Sequence, residues 1–261
     1  MINLSERVAV ITGAGTGIGA CVAETLFHQN ARLALIAKSE TNVRKVAEQL
    51  DSRLERVQYF VCDVSNEEAL VKVKGNILEQ MRKIDILVTC AAASATSKKA
   101  EELSFAEWRS LLSTDLDGVF LCCKVFGSFM IQNGYGRIVN LSSFHTIATY
   151  PNRVAYNAAK SGVEGITRAL AVEWGRYGIT VNAVAPGPVR TPRTSWFLSQ
   201  DPKNEKGMIG RTPTARIAEP SDVASLIAFL VSEEAQHING QQIVIDGGWT
   251  KSAWWGRYDR A

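Results

Sequence analysis

Val8-Ala9-Val10-Ile11-Thr12-Gly13-Ala14-Gly15-Thr16-Gly17-Ile18-Gly19 is a short apolar, β-branched run that breaks into alternating glycines. The run reads as a strand, and the amphipathic pattern after it, Gly17–Gln29, reads as a helix. Glycines between a strand and a helix let the backbone turn tightly and come close to a phosphate. The helix N-terminus adds N–H donors and a favourable dipole. Gly15-x-Gly17-x-x-Ala20 fits the general dinucleotide fingerprint, which alone is weak. The competing reading is a glycine-rich turn with no ligand.

The same alternation continues along the chain. Strands are expected at Arg7–Thr12, Arg32–Ala37, Val57–Cys62, Ile84–Thr89, Gly136–Leu141, Thr180–Ala185 and Gln242–Ile245. Helices are expected at Gly17–Gln29, Thr41–Leu50, Asn66–Met81, Ser104–Asn133, Val154–Tyr177 and Ser221–Glu233. Seven strands alternating with helices argue for an α/β fold. The sheet would be parallel and covered by helices on both faces, in the doubly wound Rossmann arrangement. At 261 residues one domain with one large core is expected, residues 1–261. The longest irregular stretch is Pro186–Ile217, with Pro188, Pro192, Pro202 and Pro213 within it. It is expected to be a substrate loop or lid.

Composition excludes several classes. With 46% hydrophobic and 21% charged residues the chain is globular rather than disordered. A net charge of +3 with dispersed Lys and Arg argues against a nucleic-acid partner. No apolar run is long enough to span a membrane. The N-terminus has no basic-then-apolar secretory pattern. Cys21, Cys62, Cys90, Cys122 and Cys123 lie in or beside apolar stretches without a CxxC. They read as free thiols in a reducing cytoplasm. His28, His145 and His237 are too scattered for a zinc site, so no metal is expected.

Two other places carry chemistry. The second strand ends Leu35-Ile36-Ala37-Lys38-Ser39. Where a carboxylate would suit the ribose 2′-OH of NAD, there is none, and a cation suits a 2′-phosphate. This favours NADP(H) over NAD(H), with a merely solvated Lys38 as the alternative. Asp63, at the end of the third strand, could accept from an adenine amino group or cap the next helix. Downstream, Tyr156 and Lys160 are four apart at a helix start and share a face. Ser143 lies thirteen residues before the tyrosine. A free phenol ionises near pH 10, and a neighbouring ammonium favours phenolate, which suits proton transfer at a carbonyl or alcohol oxygen. A Tyr-x-x-x-Lys pair alone is common in helices.

Taken together these residues resemble the short-chain dehydrogenase/reductase family over essentially the whole chain. The match is collinear: Thr12-Gly13-x-x-x-Gly17-x-Gly19, Asp63-Val64, Ser143, Tyr156-x-x-x-Lys160, Pro186-Gly187, and Gly240-Gln241-x-Ile243-x-Ile245-Asp246-Gly247-Gly248. The resemblance implies Tyr156 as general acid/base, and Ser143 as the residue that orients and polarises the carbonyl. Lys160 would hold the nicotinamide ribose and favour the phenolate. It implies a cofactor cradle at Gly13, Thr16, Gly17, Ile18 and Gly19, with Lys38, Ser39, Asp63 and Val64 at the adenine end. Ala91, Pro186, Gly187, Val189 and Thr191 would lie towards the nicotinamide. It also implies a homotetramer paired through the long helices and the last helix and strand.

Two departures stand out. Where the family usually has Asn-Asn-Ala-Gly, this chain has Thr89-Cys90-Ala91-Ala92. Where the family usually has the asparagine of a water-linked proton relay, it has Asp115. A carboxylate can accept from water or from Lys160 but cannot donate as an amide does.

The expected activity is reduction of a ketone, or oxidation of a secondary alcohol, with NADP(H). The alternatives are an NAD-dependent alcohol or polyol dehydrogenase and a non-catalytic dinucleotide-binding regulator on the same fold. His145, Arg193 and Trp196 are candidate substrate residues. Arg190 and Arg193 could meet a carboxylate or phosphate, bind the cofactor, or be solvated. Trp249, Trp254, Trp255 and Tyr258 crowd the C-terminal tail. They are expected to dock on their own subunit or on a neighbour.

Overall fold

Val8 and Val10 face one side of the central sheet, and Ala9 and Ile11 face the other; all four are fully buried. This alternation within one strand requires helices on both sides. The structure, a computed structural model, describes residues 2–93 and 97–253. The strands are β1 (Val8–Thr12), β2 (Arg32–Ala37), β3 (Val57–Val61), β4 (Ile86–Thr89), β5 (Gly136–Leu141), β6 (Ile179–Pro186) and β7 (Gln242–Ile245). All pairings are parallel, in the order β3-β2-β1-β4-β5-β6-β7. The order reverses at the β1–β4 pair, so a crevice opens beyond the carboxyl ends of these two strands.

Helices α1 (Gly17–His28), α2 (Glu40–Leu50) and α9 (Pro220–Leu230) cover one face through Val22, Leu26, Val43 and Ile227. Helices α3 (Glu67–Met81), α5 (Gly118–Asn133) and α6 (Val154–Trp174) cover the other through Leu70, Ile77, Phe126 and Val163. None of the described helices is long and apolar enough to cross a membrane. The five cysteines are free thiols, with Cys62, Cys122 and Cys123 buried.

Two elements differ from the sequence expectation. The segment Ser104–Asn133 is not one continuous helix. Helix α4 (Phe105–Leu112) starts with a reciprocal cap between Ser104 and Glu107, and a π-helical turn, Ser113–Asp117, separates it from α5. The extra residue of such a turn re-aims side chains, and here Asp115 is wholly buried. The stretch Pro186–Ile217 is not irregular either. It holds helices α7 (Pro192–Gln200) and α8 (Pro202–Arg211). Pro192 and Pro202 sit in the first helical turns, where a missing N–H costs nothing. Thr191 accepts from the Thr194 amide at 3.3 Å, and Asp201 accepts from the Lys203 amide at 2.8 Å. The prolines that suggested a loop therefore initiate helices.

The excursion is anchored at its root. Val189 forms a parallel bridge with Ala218, and the Arg190 amide donates to the Ala218 carbonyl at 2.8 Å. The Arg190 guanidinium reaches Glu205 at 2.6 Å and Glu219 at 3.2 Å.

In place of the family's usual asparagines after β4, the sheet centre is stitched by Asn140 of β5, which is fully buried. Its Oδ1 accepts from Thr89 Oγ1 at 2.9 Å and from Cys123 Sγ at 3.5 Å; its Nδ2 donates to Thr167 Oγ1 at 3.1 Å. One side chain thus ties β4, β5, α5 and α6 beneath the crevice. Asn140→Leu would leave the buried Thr89 hydroxyl without this acceptor. The expected loss, read by urea unfolding, is about 2–4 kcal/mol, since each stranded buried polar group costs roughly 1–3 kcal/mol.

Candidate active site

The glycine turn is fixed by contacts that leave no room for a side chain. Gly13 has φ +66°, and a Cβ there would stand 2.6 Å from the Ala91 amide nitrogen. A Cβ on Gly19 would collide with the Gly13 carbonyl oxygen. Gly17, at φ +57°, faces Thr191 and Pro192, so the turn and the start of α7 form opposite walls of one cleft. The Ala91 amide donates to Thr12 Oγ1 at 3.3 Å, holding the β4 end beside the turn. Ile18, in the first turn of α1, is partly buried against the core. Thr16 occupies the N-cap without a side-chain cap. A phosphate can therefore take the role of the cap. This turn fits a dinucleotide pyrophosphate.

The β2 and β3 ends meet next to it. Lys38 Nζ lies 2.8 Å from Asp63 Oδ2. Asp63 also accepts from the Ser65 amide at 3.1 Å and hydroxyl at 2.8 Å. Burial raises the Asp63 carboxyl, but the Lys38 and Ser65 bonds outweigh it and hold the group below its usual range. The helix-cap alternative for Asp63 is not what forms: Asn66 caps α3, accepting from the Ala69 amide at 3.0 Å. Ser39 caps α2 through the Asn42 amide at 3.4 Å. Val64 fills the space left by Gly118 of α5. Beyond β6, Pro186 ends the strand. The Gly187 amide donates to the Ile245 carbonyl at 2.9 Å, and Val189 is buried.

At the chemical end, Lys160 is 2% exposed on α6. Its Nζ donates to the Leu141 carbonyl at 3.0 Å, lies 3.8 Å from Asp115 Oδ2, and stands 5.7 Å from the Tyr156 ring centroid. Asp115 Oδ1 accepts from the Ala93 amide at 2.6 Å, while its Oδ2 has no hydrogen-bond partner among the described residues. The π-helical turn thus brings a carboxylate to the buried ammonium and to the backbone after β4. Ser143, also buried, accepts from the His145 amide at 3.3 Å. The His145 ring meets the Tyr156 ring edge-to-face at 5.3 Å, and Asn157 of α6 donates to the His145 carbonyl at 2.6 Å. Tyr156, Lys160 and Asp115 are thereby neighbours, and Ser143 is joined to the tyrosine through His145. Burial pushes the Cys90 thiol up to about 12 despite the nearby Lys160, so it is an inert wall there.

An aromatic group not foreseen from sequence backs this point. Phe144, His145, Tyr150 and Trp249 pack edge-to-face or tilted, with Trp249 buried against its own subunit. Trp249 lies about a hundred residues from the other three, which hides the cluster; the nearest signal is the run of aromatics in the tail. Trp254, Trp255 and Tyr258, and the side chain of Trp196, lie outside the described residues. Burial, assisted by the Arg153 charge, lowers His145 to about 4, so its ring is neutral at neutral pH. Arg193 is exposed, and its guanidinium donates to the Ala93 carbonyl at 2.6 Å, strapping α7 to the segment after β4.

The sequence profile described as enoyl-(acyl carrier protein) reductase matches residues 13–250. The D-threitol dehydrogenase of Mycolicibacterium smegmatis is 35% identical over 250 residues, covering 95% of this chain and 94% of that protein. The NAD-dependent glycerol dehydrogenase of Listeria innocua is 35% identical over 250 residues, covering 95% of each. The crystal structure of a gluconate 5-dehydrogenase from Burkholderia cenocepacia in complex with NADP and tartrate has a TM-score of 0.91 and 27% identity, covering 96% of this chain and 98% of that one. With this sheet order, this glycine turn and these likenesses along its length, the chain belongs to the short-chain dehydrogenase/reductase family and is an NAD(P)-dependent oxidoreductase acting on CH–OH and carbonyl groups.

Proposed function

We propose that the protein interconverts a ketone and a secondary alcohol with NADP(H), using Tyr156 as general acid/base. The observation that carries this reading is the buried Lys160 ammonium held 5.7 Å from the Tyr156 ring centroid. A bound nicotinamide would supply or accept the hydride. In the reductive direction Tyr156 gives its hydroxyl proton to the substrate oxygen as that oxygen gains charge. Ser143 donates a hydrogen bond to the same oxygen and orients it. Lys160 holds the nicotinamide ribose and stabilises the phenolate left behind. Asp115 positions Lys160 and can accept a proton or a water on the way to refilling the tyrosine. Thr191, Pro186, Gly187 and Val189 line the nicotinamide end, and Gly13, Thr16, Gly17, Ile18 and Gly19 hold the pyrophosphate.

The preference for NADP(H) rests on the β2 end. Ala37 offers no carboxylate to the ribose hydroxyls. Lys38 is three-quarters exposed and already committed to an anion, Asp63, which a 2′-phosphate could replace as its partner. The long helices and the last helix and strand are read as the faces through which a homotetramer assembles, and Phe120 of α5, Val172 of α6 and Phe229 of α9 are exposed there.

Tyr156→Phe keeps the ring and removes the transferable proton. Its rate of carbonyl-dependent NADPH consumption should fall by about two orders of magnitude or more, with dinucleotide affinity retained. Wild-type turnover in this variant would overturn the assignment.

The native enzyme should favour NADPH over NADH in kcat/KM by about 1–2 kcal/mol, and Ala37→Asp should move the preference towards NADH by charge repulsion. A higher native specificity constant for NADH would remove the role given to Lys38.

Asp115→Asn should preserve or raise activity. It removes the carboxylate 3.8 Å from the Lys160 ammonium, leaving that positive charge less compensated and phenolate at Tyr156 more favoured. The pH dependence of the rate should then change. A profile and rate both unchanged would retire the relay.

A further inference from the structure

Arg190 and Arg193, the loop arginines that could meet a carboxylate or phosphate, bind the cofactor or be solvated, are both engaged. Arg190 is held by Glu205 and Glu219, and Arg193 by the Ala93 carbonyl. Two other arginines stand at the same end of the molecule and make no ion pair among the described residues. Arg153 is the N-cap residue of α6, three positions before Tyr156. Arg211 ends α8, with its guanidinium carbon 5.0 Å from the centre of the Trp249 ring.

The aromatic group links Arg211 to the reacting end, and Arg153 is joined to it along α6, three positions before Tyr156. Trp249 lies 6.2 Å from Tyr150, Tyr150 lies 5.1 Å from His145, and His145 lies 5.3 Å from Tyr156, centroid to centroid. Burial pushes the Tyr150 phenol up to about 12, and the charges that act against it are those of Arg211 and Arg153. Both are positive, and no carboxylate among the described residues acts on Tyr150. His145, lowered to about 4, is neutral and adds no charge of its own at neutral pH. Two guanidiniums without an ion-pair partner among the described residues, that of Arg211 exposed over the Trp249 ring, make a local excess of positive potential suited to bidentate anion recognition.

We infer that Arg153 and Arg211 form an anion-binding subsite, and that the substrate carries a carboxylate or phosphate ester a short carbon skeleton away from the carbonyl reduced at Tyr156. This rests on the reading of Tyr156 as the reaction centre. The aromatic wall of Tyr150 and Trp249 packs the skeleton, the arginines hold the anion, and Ser143 with Tyr156 holds the carbonyl. The subsite fixes which ketone of a substrate reaches Tyr156 by tethering its far end.

The test uses the full chain with NADPH and matched ketones: 4-oxocyclohexanecarboxylate against its methyl ester, and dihydroxyacetone phosphate against dihydroxyacetone. An anion should raise kcat/KM about tenfold or more over its neutral partner, the size expected of a charge-assisted bond. The pair that shows the effect tells carboxylate from phosphate. Arg211→Gln and Arg153→Gln should each remove most of that advantage, mainly through KM, leave the neutral partner within about twofold, and Arg211→Lys should restore part of it. Equal use of anion and neutral partner, or equal losses for both in the variants, overturns the subsite. A second measurement reads binding without chemistry. Cyclohexanecarboxylate or glycerol phosphate should raise the melting temperature of the NADP-loaded protein more than cyclohexanecarboxamide or glycerol, in Tyr156→Phe as in the wild type, and not in Arg153→Gln/Arg211→Gln. No anion-specific stabilisation overturns the subsite even where turnover proceeds. Stabilisation kept in a Tyr156→Phe protein that turns over like the wild type overturns the reaction centre instead.

Discussion

A single ammonium group, on Lys160, has been taken out of water, and much of the architecture around the crevice serves to hold it there. Desolvating an ion costs several kcal/mol unless partners are already in place. Here the partners come from separate parts of the chain: the carbonyl that ends β5 and the carboxylate in the π-helical turn between α4 and α5. The turn departs from regular helix at the point where a straight α-helix would point Asp115 elsewhere. The irregularity and the buried charge explain each other.

That arrangement also couples the two halves of the crevice. Asp115 grips the Ala93 amide from below, and Arg193 grips the Ala93 carbonyl from above. The short segment after β4 is therefore tied to the lysine on one side and to α7 on the other. Gly13 approaches the same segment at Ala91 so closely that no side chain fits. Cofactor turn, ammonium and covering helix share one piece of backbone as their common reference.

Much of this was legible in the sequence, because strand and helix periods and the collinear motifs report on local geometry. The strands fall within two residues of their expected bounds. What could not be read was pairing across the chain. Lys38 and Asp63 each admitted two roles when taken separately, and only the parallel register of β2 and β3 puts them together. Asp115 could be aligned to the relay position, but its burial depends on a π-helical turn that leaves no periodic signature. The prolines after Gly187 misled because proline marks both loops and helix starts, and the caps Thr191 and Asp201 are what separate the two. Trp249 was expected to dock, and it does; that it meets Tyr150 and Phe144 follows from the tertiary fold alone.

The bridge between Val189 and Ala218 has a consequence for how such a scaffold can diversify. The segment from Arg190 to Ile217 leaves and returns at this bridge, and it meets the frame again where Arg193 reaches Ala93 and where the Thr214 amide donates to the Gly247 carbonyl. Closing a longer excursion costs only about 0.6 kcal/mol for each doubling of its length. Insertions between these tie points can therefore be absorbed as long as the Arg193 and Thr214 contacts are kept. The chemistry is written into the rigid frame, while the choice of molecule can drift in the stretches of α7 and α8 that lie between its fastenings.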